Sequence, residues 1–425
     1  MKIRNNRVKV PVTLPAEADG ERVSAGTGGR RPVRRHRAAG AVLAVISLIA
    51  AACGTSSSAK PSKPESTSSG VSYVIGGFWP LTGPDAIYGS IFGKIANLAI
   101  DSVNSQHIFK GSFRGVFLND QAEPGPAVTD MQQLTAVDHA VAVLASFSGP
   151  TSAAAPIANR THTLLFNGAA SSPYLGKLGP YMFNDIPLGS SQMPAAVQYG
   201  VKTLGLKRWA VLYSAEPLGE GDFSAIKAAL QKDGGVLATA VEVSPSLTTY
   251  EAQISEIAAS HPQLVFLADT SAGTFPTFLN EERAAGLTAV TMSYEATDTP
   301  PLISDPNANG MLFTTQDLNL TSKDTQTSRF MSEFAKAYGS STTPLAIQVN
   351  VYNAVLCVAE AIHDLQASGK KVDGPDLRSA LLDHTFTVAG TTLQFNSNGT
   401  LKSPVIVIRK LVNGKEITVA TIRGS

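Results

Sequence analysis

The sequence predicts an α/β protein of two doubly wound, Rossmann-like lobes, and three observations carry that prediction. Short apolar runs alternate with amphipathic stretches from Tyr73 almost to the C-terminus. The alternation restarts after Gly189, so there are two series rather than one. At 425 residues the chain is also longer than one core usually holds. Strand-helix alternation implies parallel sheets with right-handed crossovers, and two series imply two sheets.

The N-terminal 53 residues read as an export signal. Arg30, Arg31, Arg34, Arg35 and Arg37 precede an apolar run from Ala38 to Ala52, which ends in small residues before Cys53. Basic, apolar, then small is the order of a secretory leader, and the run is too short to span a bilayer core. The Ala-Ala-Ala-Cys end resembles the lipobox of bacterial lipoproteins, with Ala50 where that pattern prefers Leu; it implies that Cys53 carries diacylglycerol, the alternative being a plain signal peptide cut nearby with Cys53 incidental. Initiation at Val33 would leave a leader of ordinary length. Residues 54–72 are rich in Ser, Thr, Pro and Lys, cannot form a core, and are expected to be a flexible tether.

In the first series, YVIGGFW (73–79) reads as a strand. SIFGKIANLAIDSVNS (90–105) reads as a helix with Ile91, Phe92, Ile95, Leu98 and Val103 on its buried side. GVFLND (115–120), VAVLAS (141–146) and TLLFNG (163–168) are further strands, with helices at 125–138 and 151–160 between them. The second series has strands at 208–214, 236–243, 264–269, 289–294 and 310–315, with helices near 190–204, 219–233, 249–260 and 273–285. The last part changes character: helices at 324–338, 344–368 and 374–382, then PVIVIRKL and KEITVATI about Asn413-Gly414, a type I′ hairpin signal. Cys357 falls in an apolar helical run and reads as core.

Charge and composition exclude several functions. The first 52 residues carry a net +7; the remainder has 24 basic against 30 acidic residues, a net −6. A mildly acidic body lacks the concentrated basic face that nucleic acid requires. Two cysteines and seven scattered histidines exclude a disulfide framework and a zinc cluster. No G-x-S-x-G or H-E-x-x-H occurs. Gly89-Ser-Ile-Phe-Gly93-Lys94 has three residues between its glycines where a phosphate loop needs four, and Gly219-Glu220-Gly221 lacks the third glycine of a dinucleotide fingerprint. Core packing and close backbone approach explain both better. Neither an enzyme nor a cofactor is expected.

The chemistry lies in the loops after the strands, where open α/β sheets bind ligands. These are Pro80–Gly89, Ser146–Ser152 and Gly168–Pro173 in the first series, and Glu216–Gly221, Asp269–Ser271 and Tyr294–Asp298 in the second. Small hydroxyl residues at helix N-termini leave backbone N–H groups for an anion. A carboxylate opposite would suit an ammonium group.

The segment IGGFWPLTGPDAIYGSIFGKIANLAIDSVNS, the later LFNGAASSP and the order through TTLQFNSNGTLKSPVIVI resemble the type I periplasmic binding proteins, specifically the leucine/isoleucine/valine-binding receptors of ABC importers. The resemblance spans roughly 73–422. It implies lobe 1 at 73–188 plus 317–400 and lobe 2 at 189–316 plus 401–425, joined by three crossings around a ligand cleft. It also implies site roles: Ser148 and Thr151 for the ligand's carboxylate, the Ala169 carbonyl for its ammonium, Ser171 for both, Tyr88 against its side chain, and Glu295 as the acid facing the ammonium, with Asp298 as fallback. Helix capping is the alternative role for Ser148 and Ser171, core packing for Tyr88, and a solvated loop acid for Glu295. Leu218 stands where the family usually has Tyr, and Gly189 where it has an aspartate. The side-chain pocket is therefore rebuilt, and the expected ligand is an amino acid or a small amide-like molecule, its partner an ABC permease. The same fold also serves sensing receptors that partner signalling proteins; the sequence holds no transmembrane helix or cytoplasmic domain that would carry such a signal within the chain.

Overall fold

The computed structural model describes residues 70–269 and 273–423. The expected leader with Cys53, the tether up to residue 69, and Ser271 lie outside the described residues.

The first sheet is parallel throughout, in the order β2-β1-β3-β4-β5. Its elements run β1 (Ser72–Trp79), α1 (Ala86–Gln106), β2 (Ser112–Asn119), α2 (Pro124–Ala136), β3 (Ala140–Ala145), α3 (Ser148–Thr161), β4 (Leu164–Asn167) and β5 (Met182–Asn184). Successive strand residues point to opposite faces, and β1 shows it: Val74 and Phe78 pack with α2 and α3, while Ile75 and Trp79 pack with α1. Both faces are thus covered, which is why this strand reads as continuous apolar sequence.

The second series follows as α4 (Gly189–Gln198), prolonged by a π-helical turn at Tyr199–Thr203, then β6 (Arg208–Ser214), α5 (Pro217–Asp233), β7 (Val236–Val243), α6 (Glu251–Ala259), β8 (Leu264–Ala268), α7 (Thr274–Ala284), β9 (Val290–Tyr294), α8 (Pro300–Ile303) and β10 (Leu312–Gln316). The chain then returns to the first lobe with α9 (Thr325–Tyr338), α10 (Ala346–Ala367), α11 (Gly374–Asp383) and a small hairpin, β11 (Phe386–Val388) and β12 (Thr391–Leu393). It crosses back as β13 (Val405–Val412) and β14 (Lys415–Arg423). The second sheet has the order β14-β13-β10-β9-β8-β6-β7, parallel except for the last hairpin, which pairs antiparallel beside β10. The chain therefore passes between the lobes three times.

Most helices and strands begin within a few residues of the expected positions, and β6 and β7 match them. Asn413 and Gly414 sit at φ 50° and 72°, the two positive angles a type I′ turn demands. Helix α10 is buried nearly all round and is wedged against α1, with Cys357 fully enclosed in its core. Each aliphatic side chain enclosed there contributes about 1.5–3 kcal/mol. The motif-like glycines have packing roles: a Cβ at Gly89 would lie 2.0 Å from the Pro80 carbonyl oxygen, and one at Gly219 would lie 2.2 Å from that of Ser214.

Candidate functional site

The C-terminal ends of both sets of parallel strands face one another and enclose a chamber with about 30 Å³ of free volume. The first lobe contributes Tyr88 and Phe92 from α1, Ser146, Phe147 and Ser148 from the β3–α3 junction, Ala169 and Ala170 after β4, and Ile347 of α10. The second lobe contributes Leu218 of α5, and Tyr294 and Ala296 after β9. Such a volume admits a water or two, so a larger solute must hold the walls further apart. The walls are apolar and ring-rich: Tyr88 stacks near Phe92 at 6.3 Å and meets Phe147 edge-on at 5.6 Å.

Hydrogen bonds join the lobes around the chamber. The Tyr88 hydroxyl donates to the Ala296 carbonyl at 3.0 Å, Ser172 Oγ donates to the Pro217 carbonyl at 2.6 Å, and the Ala346 N–H donates to Asp298 Oδ2 at 3.2 Å. Beside the second bond the backbones come close. A Cβ at Gly221 would sit 2.8 Å from Pro173, and one at Gly189 would sit 3.0 Å from it. Two glycines of the second lobe thus form a flat seat for the Ser172-Pro173 corner of the first.

The expected residues divide into two groups. Tyr88, Ser148, Ala169 and Leu218 line the chamber; Thr151, Ser171 and Glu295 are buried behind its wall. Helix α3 begins at Ser148, three residues earlier than expected, with Phe147 as its cap. Neither Ser148 nor Ser171 caps a helix: Ser148 Oγ accepts the Ser172 N–H at 3.3 Å, and the short helix at Pro173–Lys177 is capped by Ser172. The Thr151 N–H is used within the helix, donating to the Phe147 carbonyl, so the amides free at this helix end are those of Ser148 and Gly149. After β4, Asn167 holds the loop: its Oδ1 accepts the Ala169 and Ala170 N–H groups, and its Nδ2 donates to the Ala170 carbonyl. Among the described residues no donor reaches the Ala169 carbonyl, which stays available to a ligand.

Glu295 is not a solvated loop acid. It is 2% exposed, and its Oε1 accepts Gln192 Nε2–H at 2.8 Å. Gln192 is itself fixed, donating to the Pro187 carbonyl and accepting from Thr314 Oγ1 at 2.7 Å. Burial pushes the Glu295 carboxyl up to about 8, against its own backbone N–H, Gln192 and Ser171, which favour the anion. Ser171 Oγ stands near enough to contribute to this without making a well-formed bond. Asp298, the fallback acid, is already engaged by Ala346 and by Glu416, which is paired with Arg409. It belongs to lobe closure.

One acid escaped the sequence reading. Asp222, on the face of α5 one turn beyond Leu218, is 0% exposed, and neither carboxylate oxygen has a hydrogen-bond partner among the described residues. Its Oδ1 fills the space a side chain at position 189 would take, 2.0 Å from a Cβ built there. Burial, and then the nearby Glu295 charge, raise it well above the ordinary carboxylate range. The wall carries no lysine, arginine or histidine among the described residues, so nothing in the chamber neutralises these acids.

Residues 72–415 match the family described as periplasmic binding protein. The Leu/Ile/Val-binding protein homolog 3 of Brucella melitensis is 25% identical over 350 residues, 80% of this chain and 92% of that protein. The leucine-, isoleucine-, valine-, threonine- and alanine-binding protein of Pseudomonas aeruginosa is 24% identical over 331 residues, 76% and 86% of the two chains. Among solved structures, a leucine-binding protein of Thermotoga maritima superimposes with a TM-score of 0.73 at 19% identity, covering 82% of this chain and 98% of that one. An ABC-transporter solute-binding protein of R. palustris, solved with benzoate, gives 0.74 at 18% identity, covering 83% and 97%.

Proposed function

The chain belongs to the periplasmic binding protein family, in its type I leucine/isoleucine/valine-binding class, and from that premise we propose that it captures an amino acid with a branched or aromatic side chain outside the cytoplasm and delivers it to an ABC permease. It is a solute-binding protein rather than an enzyme. The observation that carries the choice of ligand is the pairing of opposite polarities across one small chamber. The free amides of Ser148 and Gly149 at the N-terminus of α3 suit a carboxylate. Asp222 and Glu295, without a basic side chain opposite them, suit an ammonium group. The rings of Tyr88, Phe92, Phe147 and Tyr294 suit an apolar side chain. Benzoates, bound by some of the structural neighbours, fit the rings but bring no cation to the acids.

In this reading lobe 1 (73–188 with 317–400) and lobe 2 (189–316 with 401–425) move as bodies about the three crossings. The ligand shifts the open-closed balance by its higher affinity for the closed form. Acylation of Cys53 would hold the body at the membrane by its tether; Cys53→Ser should then release the protein into the medium or block leader removal, and unchanged membrane retention with normal cleavage would refute the anchor. Permease and ATPase genes beside this one would support import, whereas a sensor kinase gene there would support a sensing role.

A thermal-shift panel of amino acids, amides and aromatic acids tests the ligand class. A solute at a hundred times its Kd adds about 2.7 kcal/mol of stability. Apolar amino acids should raise Tm; a rise with benzoates alone would overturn the assignment.

A further inference from the structure

We infer that Asp222 is the principal acid that receives the ligand's ammonium group, with Glu295 as its neighbour; the inference rests on the amino-acid reading above.

Asp222 is an acid of the second lobe, close to the chamber, that the protein leaves in need of a partner. It is fully buried, and neither oxygen is bonded among the described residues. Buried carboxylates are ordinarily matched by cations or several donors. Glu295, by contrast, already takes a hydrogen bond from Gln192, and Asp298 one from Ala346. The position of Asp222 is also specific. Leu218, four residues earlier on the same face of α5, walls the chamber, as does Tyr294, the residue before Glu295. Asp222 lies directly behind that wall.

Its placement has no evident structural purpose that would replace a ligand. Asp222 Oδ1 sits against Gly189, the first residue of α4, yet it does not cap that helix: the Gly189 N–H donates to the Ser171 carbonyl, and the Ser191 and Gln192 N–H groups donate to the Leu188 carbonyl. Room for the carboxylate exists because residue 189 is glycine. A cation delivered through the chamber is the partner this site lacks.

The test uses two ligand pairs that differ by the ammonium group alone: L-leucine with 4-methylpentanoate, and L-phenylalanine with 3-phenylpropanoate. Kd values are measured by calorimetry for the wild type, Asp222→Asn and Glu295→Gln, with Asp222→Ser as a second variant. Both Asp222 variants should lose at least tenfold in affinity for the amino acid of the pair that binds, and less than twofold for its desamino partner, while their ligand-free Tm holds or rises because a buried carboxyl without a hydrogen-bond partner has been removed. Glu295→Gln should lose less. An equal loss for both members of a pair would reduce Asp222 to a structural role, and no loss would remove it from the site. A wild type that binds neither amino acid in this test nor any other in the panel refutes the amino-acid reading itself, and this role with it.

Discussion

Raising the pH from 6 to 8 should tighten amino-acid binding while loosening the ligand-free fold. Glu295 is held up to about 8 by burial. Gln192, which donates to it, and Asp222, whose charge reaches it, belong to the second lobe, while Ser171 belongs to the first, so most of its named neighbours stay with it when the lobes part. Below pH 8 the carboxyl carries a proton that must leave before it can face an ammonium group. Each proton released makes Kd fall tenfold per pH unit, about 1.4 kcal/mol. One proton therefore predicts roughly a tenfold gain between pH 6 and 7, flattening near 8, and a second from Asp222, which is raised in the same direction, steepens it. The stability of the ligand-free protein runs the other way. A folded pKa above the unfolded value gives stability that is complete below about 4.5 and lost as pH rises through about 8. Calorimetry at pH 6.5 in buffers of different ionisation enthalpy counts the protons released, and one to two are expected. A Kd constant from pH 6 to 8 with no proton exchange would refute the electrostatic reasoning.

Two further predictions concern closure. Ser172→Ala removes the 2.6 Å bond to the Pro217 carbonyl; a net loss of about 0.5–1.5 kcal/mol should weaken every ligand several-fold and equally, whereas a loss confined to amino acids would move Ser172 into the ammonium site. Tyr88→Phe keeps the ring against Phe92 and Phe147 but deletes the bond to Ala296. It should cost about 1 kcal/mol in closure, read as a faster off-rate, and an unchanged off-rate would show that the bond contributes nothing to closing.

The fold was largely legible because each lobe repeats one physical pattern. The run from Arg208 to Ser214 is apolar on both faces, and the Asn413-Gly414 pair permits only one kind of turn. What escaped was short or conditional on tertiary partners. Strand β5 is three residues long, too brief to show a period, and exists because Asn167 and Gly399 lie beside it. The same applies to β11 and β12. In the site, loops rich in Gly, Ser and Pro announced themselves, so Ser148 and Ala169 were found on the wall. Asp222 was not, because a polar residue in an amphipathic helix reads as a solvated face. The close approach of Gly189 at the start of α4 helps to remove it from water. Glu295 was named as a candidate, but its fixed bond to Gln192 joins residues 103 apart and has no local signature.

The central claim, that one small chamber takes a zwitterion end to end, is tested most directly by a crystal structure with the tightest-binding amino acid of the panel. The account predicts the ligand's carboxylate within hydrogen-bond distance of the Ser148 or Gly149 amide, its ammonium against Asp222 and Glu295, and its side chain among Tyr88, Phe147 and Leu218. An ammonium group turned away from both acids, or a carboxylate away from the start of α3, would contradict it.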